Sequence, residues 1–383
     1  MKALAGIRFD RNELAGSFGD IGTDLPLIVG IVMATGLDAG GVFAVFGLLL
    51  IATGLVYRLP MPVQPLKAMA VLVITQKIAG NVLLGAGFAI GATMLVLTLT
   101  GALGLLVRLI PRCVVRGIQF GLGLSLASLA LRTYVPAAGA PGYALAAVAL
   151  LVMFGLWGSR RVPPGLLVIA LGGVYALATG LRLGVITDGV GFSLPRFQLP
   201  TVPDVLTGFV VLALPQIPLS ISNSVIATEQ TIRDLFPGRA VTTRRIGFTY
   251  SAVNLVAPLL GGIPVCHGCG GLAGHYGFGA RSGGSVILYG AFYLVLGLFF
   301  SGPLHEVLKV FPEPILGVVL LFEALALLGF VRDQAGDPRD LAIALLVGVV
   351  ALAVPQGFVV GLLVGVVAYY GFRRFGRPAD DAR

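Results

Sequence analysis

Pro60-Met-Pro-Val-Gln-Pro65 and Ile263-Pro-Val-Cys-His-Gly-Cys-Gly-Gly271 are two places where an apolar chain interrupts itself in the same way. Both carry Pro-Val followed by a polar side chain, and they stand about 200 residues apart. Each leads into an apolar run too short to cross a hydrocarbon core about 30 Å thick. Prolines also kink membrane helices without any role in function. Matched position, matched order and flanking polarity favour a stronger reading. Paired short spans broken by Gly and Pro, one in each half of a chain, mark a transporter's binding site.

The surroundings agree. Apolar residues make up 57% of the 383 and charged residues 11%, against roughly a quarter charged in soluble domains. This composition excludes a soluble globular protein. Backbone polar groups cannot go unsatisfied in lipid, so the spans are helices or a closed barrel, and continuous rather than alternating apolar runs decide for helices. The 55 glycines suit close packing of membrane helices. Fourteen spans are expected, at about 12–34, 38–57, 66–79, 83–107, 112–132, 141–158, 163–182, 203–226, 243–260, 266–276, 284–301, 312–332, 338–354 and 356–374.

The net charge of +9 reflects topology and not a nucleic-acid partner. With the N-terminus in the cytoplasm, about twenty Lys and Arg, from Lys2, Arg8, Arg160 and Arg161 to Arg377 and Arg383, fall on the inner side. Lys77, Arg132, Arg182, Arg196 and Lys309 fall outside. This places both termini in the cytoplasm of a multi-pass protein of the cell membrane. No cleavable signal peptide is expected, because Lys2 to Glu13 is polar. No soluble domain is expected in the short tail after Phe375.

Seven spans precede the connector at 184–202 and seven follow it. An odd number per half reverses the orientation of the second half, so residues 1–183 and 203–375 form an inverted-topology repeat with an extracellular connector. The short spans 3 and 10, opposed by this inversion, meet at the midplane. A helix that starts there aims free N–H groups and about half a positive charge at the centre. Two such ends offset roughly one unit of an anion's charge. Gln64, Cys266, His267 and Gly268 belong to this site, and Lys67, one turn into span 3, supplies a further charge or pairs with a buried Asp.

Span 1 carries Ser17-Phe-Gly-Asp-Ile-Gly-Thr-Asp24, which makes Thr23 a further substrate contact and Asp20 the candidate proton carrier. Burial beside an anion favours a carboxylate's neutral form. On span 8, Gln216, Ser220 and Asn223 follow i, i+4, i+7 spacing and share one helical face suited to hydrogen-bonding an oxyanion. Glu229, near the end of span 8, reads as solvated. Glu323 reads as a buried carboxylate in span 12 without a polar neighbour. Cys266 and Cys269, with His275, invite a metal or redox reading. Structural zinc needs four ligands, however, and no thioredoxin-like pattern surrounds the pair. No metal or other cofactor is expected.

Gly19-Asp-Ile-Gly-Thr-Asp-Leu-Pro26, Pro60-Met-Pro-Val-Gln-Pro-Leu-Lys-Ala68 and Pro264-Val-Cys-His-Gly-Cys-Gly-Gly-Leu-Ala-Gly-His-Tyr-Gly-Phe-Gly-Ala-Arg-Ser282 resemble the molybdate transporter family, a branch related to sulfate permeases. The resemblance runs from Glu13 to about Phe372. It implies a core domain of spans 1–4 and 8–11, a gate domain of spans 5–7 and 12–14, and no cytoplasmic regulatory domain. Cys269 departs from the pattern, where a smaller residue such as Ala is expected. The implied function is secondary transport of molybdate by movement of core against gate. Sulfate, tungstate or oxyanions in general are the alternative cargo, and a homodimer is left open. A nucleobase–proton symporter, a membrane redox or metal enzyme using Cys266 and Cys269, and a channel or voltage-driven motor are weaker readings. Moving a dianion against an inside-negative potential costs about 4.6 kcal/mol per 100 mV, which two co-transported protons would cancel. Proton-coupled uptake is therefore expected.

Overall fold

The computed structural model describes residues 6–156, 159 and 164–375. Lys2, Arg160, Arg161, Arg377, Arg383 and the tail after Phe375 lie outside the described residues. The first half runs α1 (Arg11–Ser17), α2 (Ile21–Thr35), α3 (Ala39–Tyr57), β1 (Gln64–Pro65), α4 (Lys67–Gln76), α5 (Gly80–Thr100), α6 (Leu103–Leu109), α7 (Arg112–Leu129), α8 (Gly139–Gly155), α9 (Pro164–Thr179) and α10 (Leu183–Asp188). The second runs α11 (Val202–Gly208), α12 (Leu214–Leu219), α13 (Ala227–Leu235), α14 (Thr243–Val256), β2 (Val265–Cys266), α15 (Cys269–Gly277), α16 (Gly284–Phe299), α17 (Ser301–Val310), α18 (Glu313–Gly329), α19 (Pro338–Ala353) and α20 (Gly357–Phe375).

A helix falls on each of the fourteen expected positions. Six segments are long and apolar enough to cross a bilayer alone: Arg11–Thr35, Ala39–Tyr57, Gly80–Thr100, Arg112–Tyr134, Val202–Leu235 and Glu313–Gln334. A seventh is made by Gly284–Phe299 with Ser301–Leu308 if the pair, bent by 93°, counts as one. Boundaries shift where local chemistry stops a helix. The expected span at 83–107 ends at Thr100 because Gly101 turns left-handed at φ 74°. The expected span at 266–276 starts only at Cys269, because Val265 and Cys266 are extended. In the segment Val202–Leu235, Pro215 and Pro218 lack the N–H an α-helix needs. The turns before and after them widen to π geometry at Phe209–Ala213 and Ser220–Ile226.

Glycine sets the tightest helix contact. Gly40, Gly47 and Gly54, seven apart on α3, face Gly297 and Gly290 of α16 and Gly283, the residue that caps its start. A Cβ on Gly47 would stand 2.5 Å from the Leu294 nitrogen, and one on Gly54 would stand 2.7 Å from the Gly283 carbonyl oxygen. Only bare glycine lets the two backbones approach this closely. Related packing joins α5 to α14 and to α11, while α7 packs on α18 and α19, and α8 and α9 pack on α18. The connector after α10 is tied down by backbone bonds from Gly191 to Phe299 and from Ser193 to Leu298, at 3.0 and 2.8 Å.

Candidate functional site

The two breaks meet. β1 and β2 pair antiparallel, with Gln64 opposite Cys266 and Pro65 opposite Val265, and the Leu66 N–H donates to the Pro264 carbonyl at 3.1 Å. Non-helical backbone at this depth must be satisfied by protein, and surrounding side chains do so. Asn254 accepts from the Val265 N–H at 2.9 Å and donates to its carbonyl at 2.6 Å. Thr228 donates to the His267 carbonyl at 2.7 Å, and Thr53 donates to the Met61 carbonyl at 3.0 Å. The His267 ring is fully buried, with Nδ1 at 3.0 Å from the Pro62 carbonyl and Nε2 at 3.0 Å from the Thr249 hydroxyl. Its side chain thus holds one break to the other, away from open space.

α4 and α15 leave this junction. A cavity of about 260 Å³ lies against it, lined by Gln64, Lys67, Gln216, Asn223, Cys269 and Gly270 among others. Asn223, Cys269 and Phe330 also line a wider space of about 510 Å³ whose wall carries Arg112 and Arg116. Both arginines pair with Asp333, at 2.5 and 2.6 Å.

The two helix starts differ. At α4, the Gln216 carbonyl oxygen accepts from the N–H groups of Ala68 and Met69 at 2.9 and 3.3 Å. At α15, the first N–H groups have no carbonyl a turn back to receive them, and the N-cap residue Gly268 has no side chain to do so. With no side-chain cap among the described residues, the N-terminus of α15 is the end left open beside the cavity.

The shared face expected on span 8 is divided. Gln216 borders the cavity but spends its amide on α4 and on the Ser220 hydroxyl at 3.0 Å. Ser220 is fully buried, 2.7 Å from the Tyr250 hydroxyl. The π turn that begins at Ser220 changes the angular spacing of an α-helix, and Asn223 faces the cavity, accepting from the Cys269 thiol at 3.2 Å.

Gln64 donates to the Asp20 carboxylate at 2.7 Å. Gly268 and Gly271 make room for this bond: a Cβ on Gly268 would fall on the Gln64 amide oxygen, and one on Gly271 would meet Pro62 at 2.9 Å and the Gln64 nitrogen at 3.0 Å. Asp24 is fully buried, and neither carboxylate oxygen has a hydrogen-bond partner among the described residues. Lys67 pairs with Glu323 of α18, and the Thr23 hydroxyl donates to the other Glu323 oxygen at 3.4 Å. Two expectations are corrected here. Glu323 has polar neighbours, supplied by elements distant in sequence, and the partner of Lys67 is this Glu instead of an Asp. Glu229, expected to be solvated, is buried, and its carboxylate is satisfied by Arg233 and by the Thr243 N–H at 2.9 Å. His275, raised as a third metal ligand, instead turns Nδ1 to the Gly16 carbonyl at 2.7 Å. Among the described residues no three His, Cys, Asp or Glu gather as a metal site would need.

Known proteins resemble this chain in sequence and in fold. The family model described as "Molybdate transporter of MFS superfamily" matches residues 12–126 and 208–327, two segments that hold both breaks. Molybdate transporter 1 of Arabidopsis thaliana is 33% identical, over 97% of this chain and 90% of its own. Molybdate transporter 1 of Chlamydomonas reinhardtii is 31% identical, over 94% and 92%. In fold, the transmembrane domain of a cyanobacterium bicarbonate transporter, BicA, superposes with TM-score 0.66 at 17% identity, covering 94% of this chain and 98% of that one. SLC26A9 superposes with TM-score 0.71 at 13% identity, covering 95% and 65%. The chain is an all-helical, multi-pass membrane transporter with the fold of these anion transporters, and it belongs to the molybdate transporter family.

Proposed function

We propose that this chain carries molybdate across the cytoplasmic membrane by proton-coupled secondary transport, using one site between the paired breaks. The pairing of Gln64 with Cys266 carries the reading, because it sets the open start of α15 against a cavity that Lys67 also lines. N–H groups at a helix start, an amide and an ammonium are the donors a tetrahedral oxyanion needs. Anion contacts are assigned to Gln64, Lys67, Asn223 and the backbone of Cys269 and Gly270. Gln216, His267 and Gly268 shape the site, while Thr23 and Ser220 act behind it.

Fourteen spans in a seven-plus-seven inverted repeat fit the packing. Exchanging spans 2 with 9 and 4 with 11 turns the α3–α16 contact into the α14–α5 contact, and both are extensive. Spans 1–4 and 8–11 form the moving core. Spans 5–7 and 12–14 form the gate, a grouping supported by the packing of α7, α8 and α9 on α18. Both termini are cytoplasmic, which makes the wider space walled by Arg112 and Arg116 an inward-facing vestibule.

Asp20 carries a coupling proton, since it touches the Gln64 amide in the site. Uptake of molybdate into proteoliposomes should accelerate as the outside is acidified, and Asp20→Asn should remove this dependence. Uptake indifferent to a pH gradient, with Asp20→Asn fully active, would overturn the coupling. Recognition by N–H groups and one lysine carries no inherent preference among tetrahedral oxyanions, so a general oxyanion permease is the second reading.

A further inference from the structure

The charge around the site does not balance for a dianion. One open helix start offers about half a positive charge, and Lys67, the nearest full charge lining the cavity, is already neutralised by Glu323. Glu323 is 9% exposed, and its two oxygens are held by Lys67 and by the Thr23 hydroxyl. It reaches the site from α18, which packs on α7, α8 and α9 and also on α2. Leu327, one turn further along α18, lines the same cavity.

A carboxylate is itself an oxyanion. We infer that Glu323 is a resident counter-anion, holding Lys67 while the site is empty and giving it up when a transported oxyanion arrives. The inference rests on the anion site proposed above. Lys67 exchanges one anionic partner for another, so its charge is never left bare in a low-dielectric setting. The exchange also cuts the ion pair that links α4 to α18. Because α4 belongs to the core and α18 to the gate in the proposed division, loading the site removes one tie between the two and leaves the Thr23 contact and the packing of α2 on α18 in place. Glu323 is thus a positioning residue that acts through Lys67: it lowers affinity and ties release of the core to arrival of cargo.

The test is a double-substitution cycle. Equilibrium binding of molybdate is measured on purified wild type, Glu323→Gln, Lys67→Gln and the double variant, with Glu323→Asp as the charge-retaining control. Glu323→Gln should bind molybdate more tightly by roughly 5- to 150-fold, an ordinary coupling between competing partners. Glu323→Asp should stay near wild type, and most of the gain should vanish in the Lys67→Gln background. Should Glu323→Gln fold poorly, the molybdate-induced rise in its melting temperature should still exceed that of wild type. Binding by Glu323→Gln that equals or falls below wild type would overturn the inference. An equal gain with and without Lys67 would also overturn it, by showing repulsion through space instead of exchange. Failure of every form, wild type included, to bind molybdate would overturn the transport reading and this inference with it.

Discussion

Replacing Gly268 by Ala perturbs the site at one atom. The added Cβ would occupy the position of the Gln64 amide oxygen. That oxygen ends a flexible side chain, so the amide swings away while the backbone pairing of the breaks survives. The swing breaks the 2.7 Å bond from Gln64 to Asp20, the contact that aims the amide beside the cavity. A hydrogen bond to a charged group is worth about 1.5–3 kcal/mol, so losing the oriented amide should weaken molybdate binding roughly 10- to 150-fold. Gly277→Ala is the matched control. It lies on the same helix, and a Cβ there meets nothing within 4 Å, so binding should change by no more than about twofold. The assay is equilibrium binding to purified protein, with melting temperature as the check on folding. A folded Gly268→Ala protein that binds like wild type would refute the role of Gln64 and the location of the site.

Gly47→Leu should destabilise by at least about 1–3 kcal/mol, because a Cβ there already stands 2.5 Å from the Leu294 nitrogen; a lowered melting temperature or loss of monodisperse protein checks it. Cys269, which is partly exposed and lines the cavity, should be the thiol that reacts with a small polar reagent, and molybdate should slow that reaction. Cys113 and Cys266, 1% and 4% exposed, should stay unmodified. Modification of Cys269 at an unchanged rate in saturating molybdate would place the anion elsewhere.

Elements whose signal is local were legible in the sequence. The two Pro-Val breaks announced themselves by composition and spacing, and the structure pairs them residue against residue. Gly40, Gly47 and Gly54, with Gly283, Gly290 and Gly297, form two seven-residue glycine series that a search for periodic small residues would have found. The partner of Lys67 was not legible, because Glu323 lies 256 residues away and only the packing of α18 brings it near. Nor was the capping of α4 by Gln216 across 148 residues. A polar side chain in a membrane helix announces that it needs a partner; only the fold decides which. The helical spacing of Gln216, Ser220 and Asn223 put Gln216 and Asn223 on the cavity wall but not Ser220, because it assumes an unbroken α-helix, and Pro215 and Pro218 were the sign that the helix departs from that geometry.

We place one tetrahedral oxyanion between the paired breaks, with molybdate as the cargo on the ground of family membership and not of the donors alone. Binding of molybdate to the purified protein in the presence of excess sulfate tests it most directly. The account predicts that molybdate stays bound until sulfate is in large excess, and that Gly268→Ala loses the molybdate it would otherwise hold. Displacement of molybdate by an equal concentration of sulfate would contradict the selectivity, and a protein that binds neither anion would contradict the site.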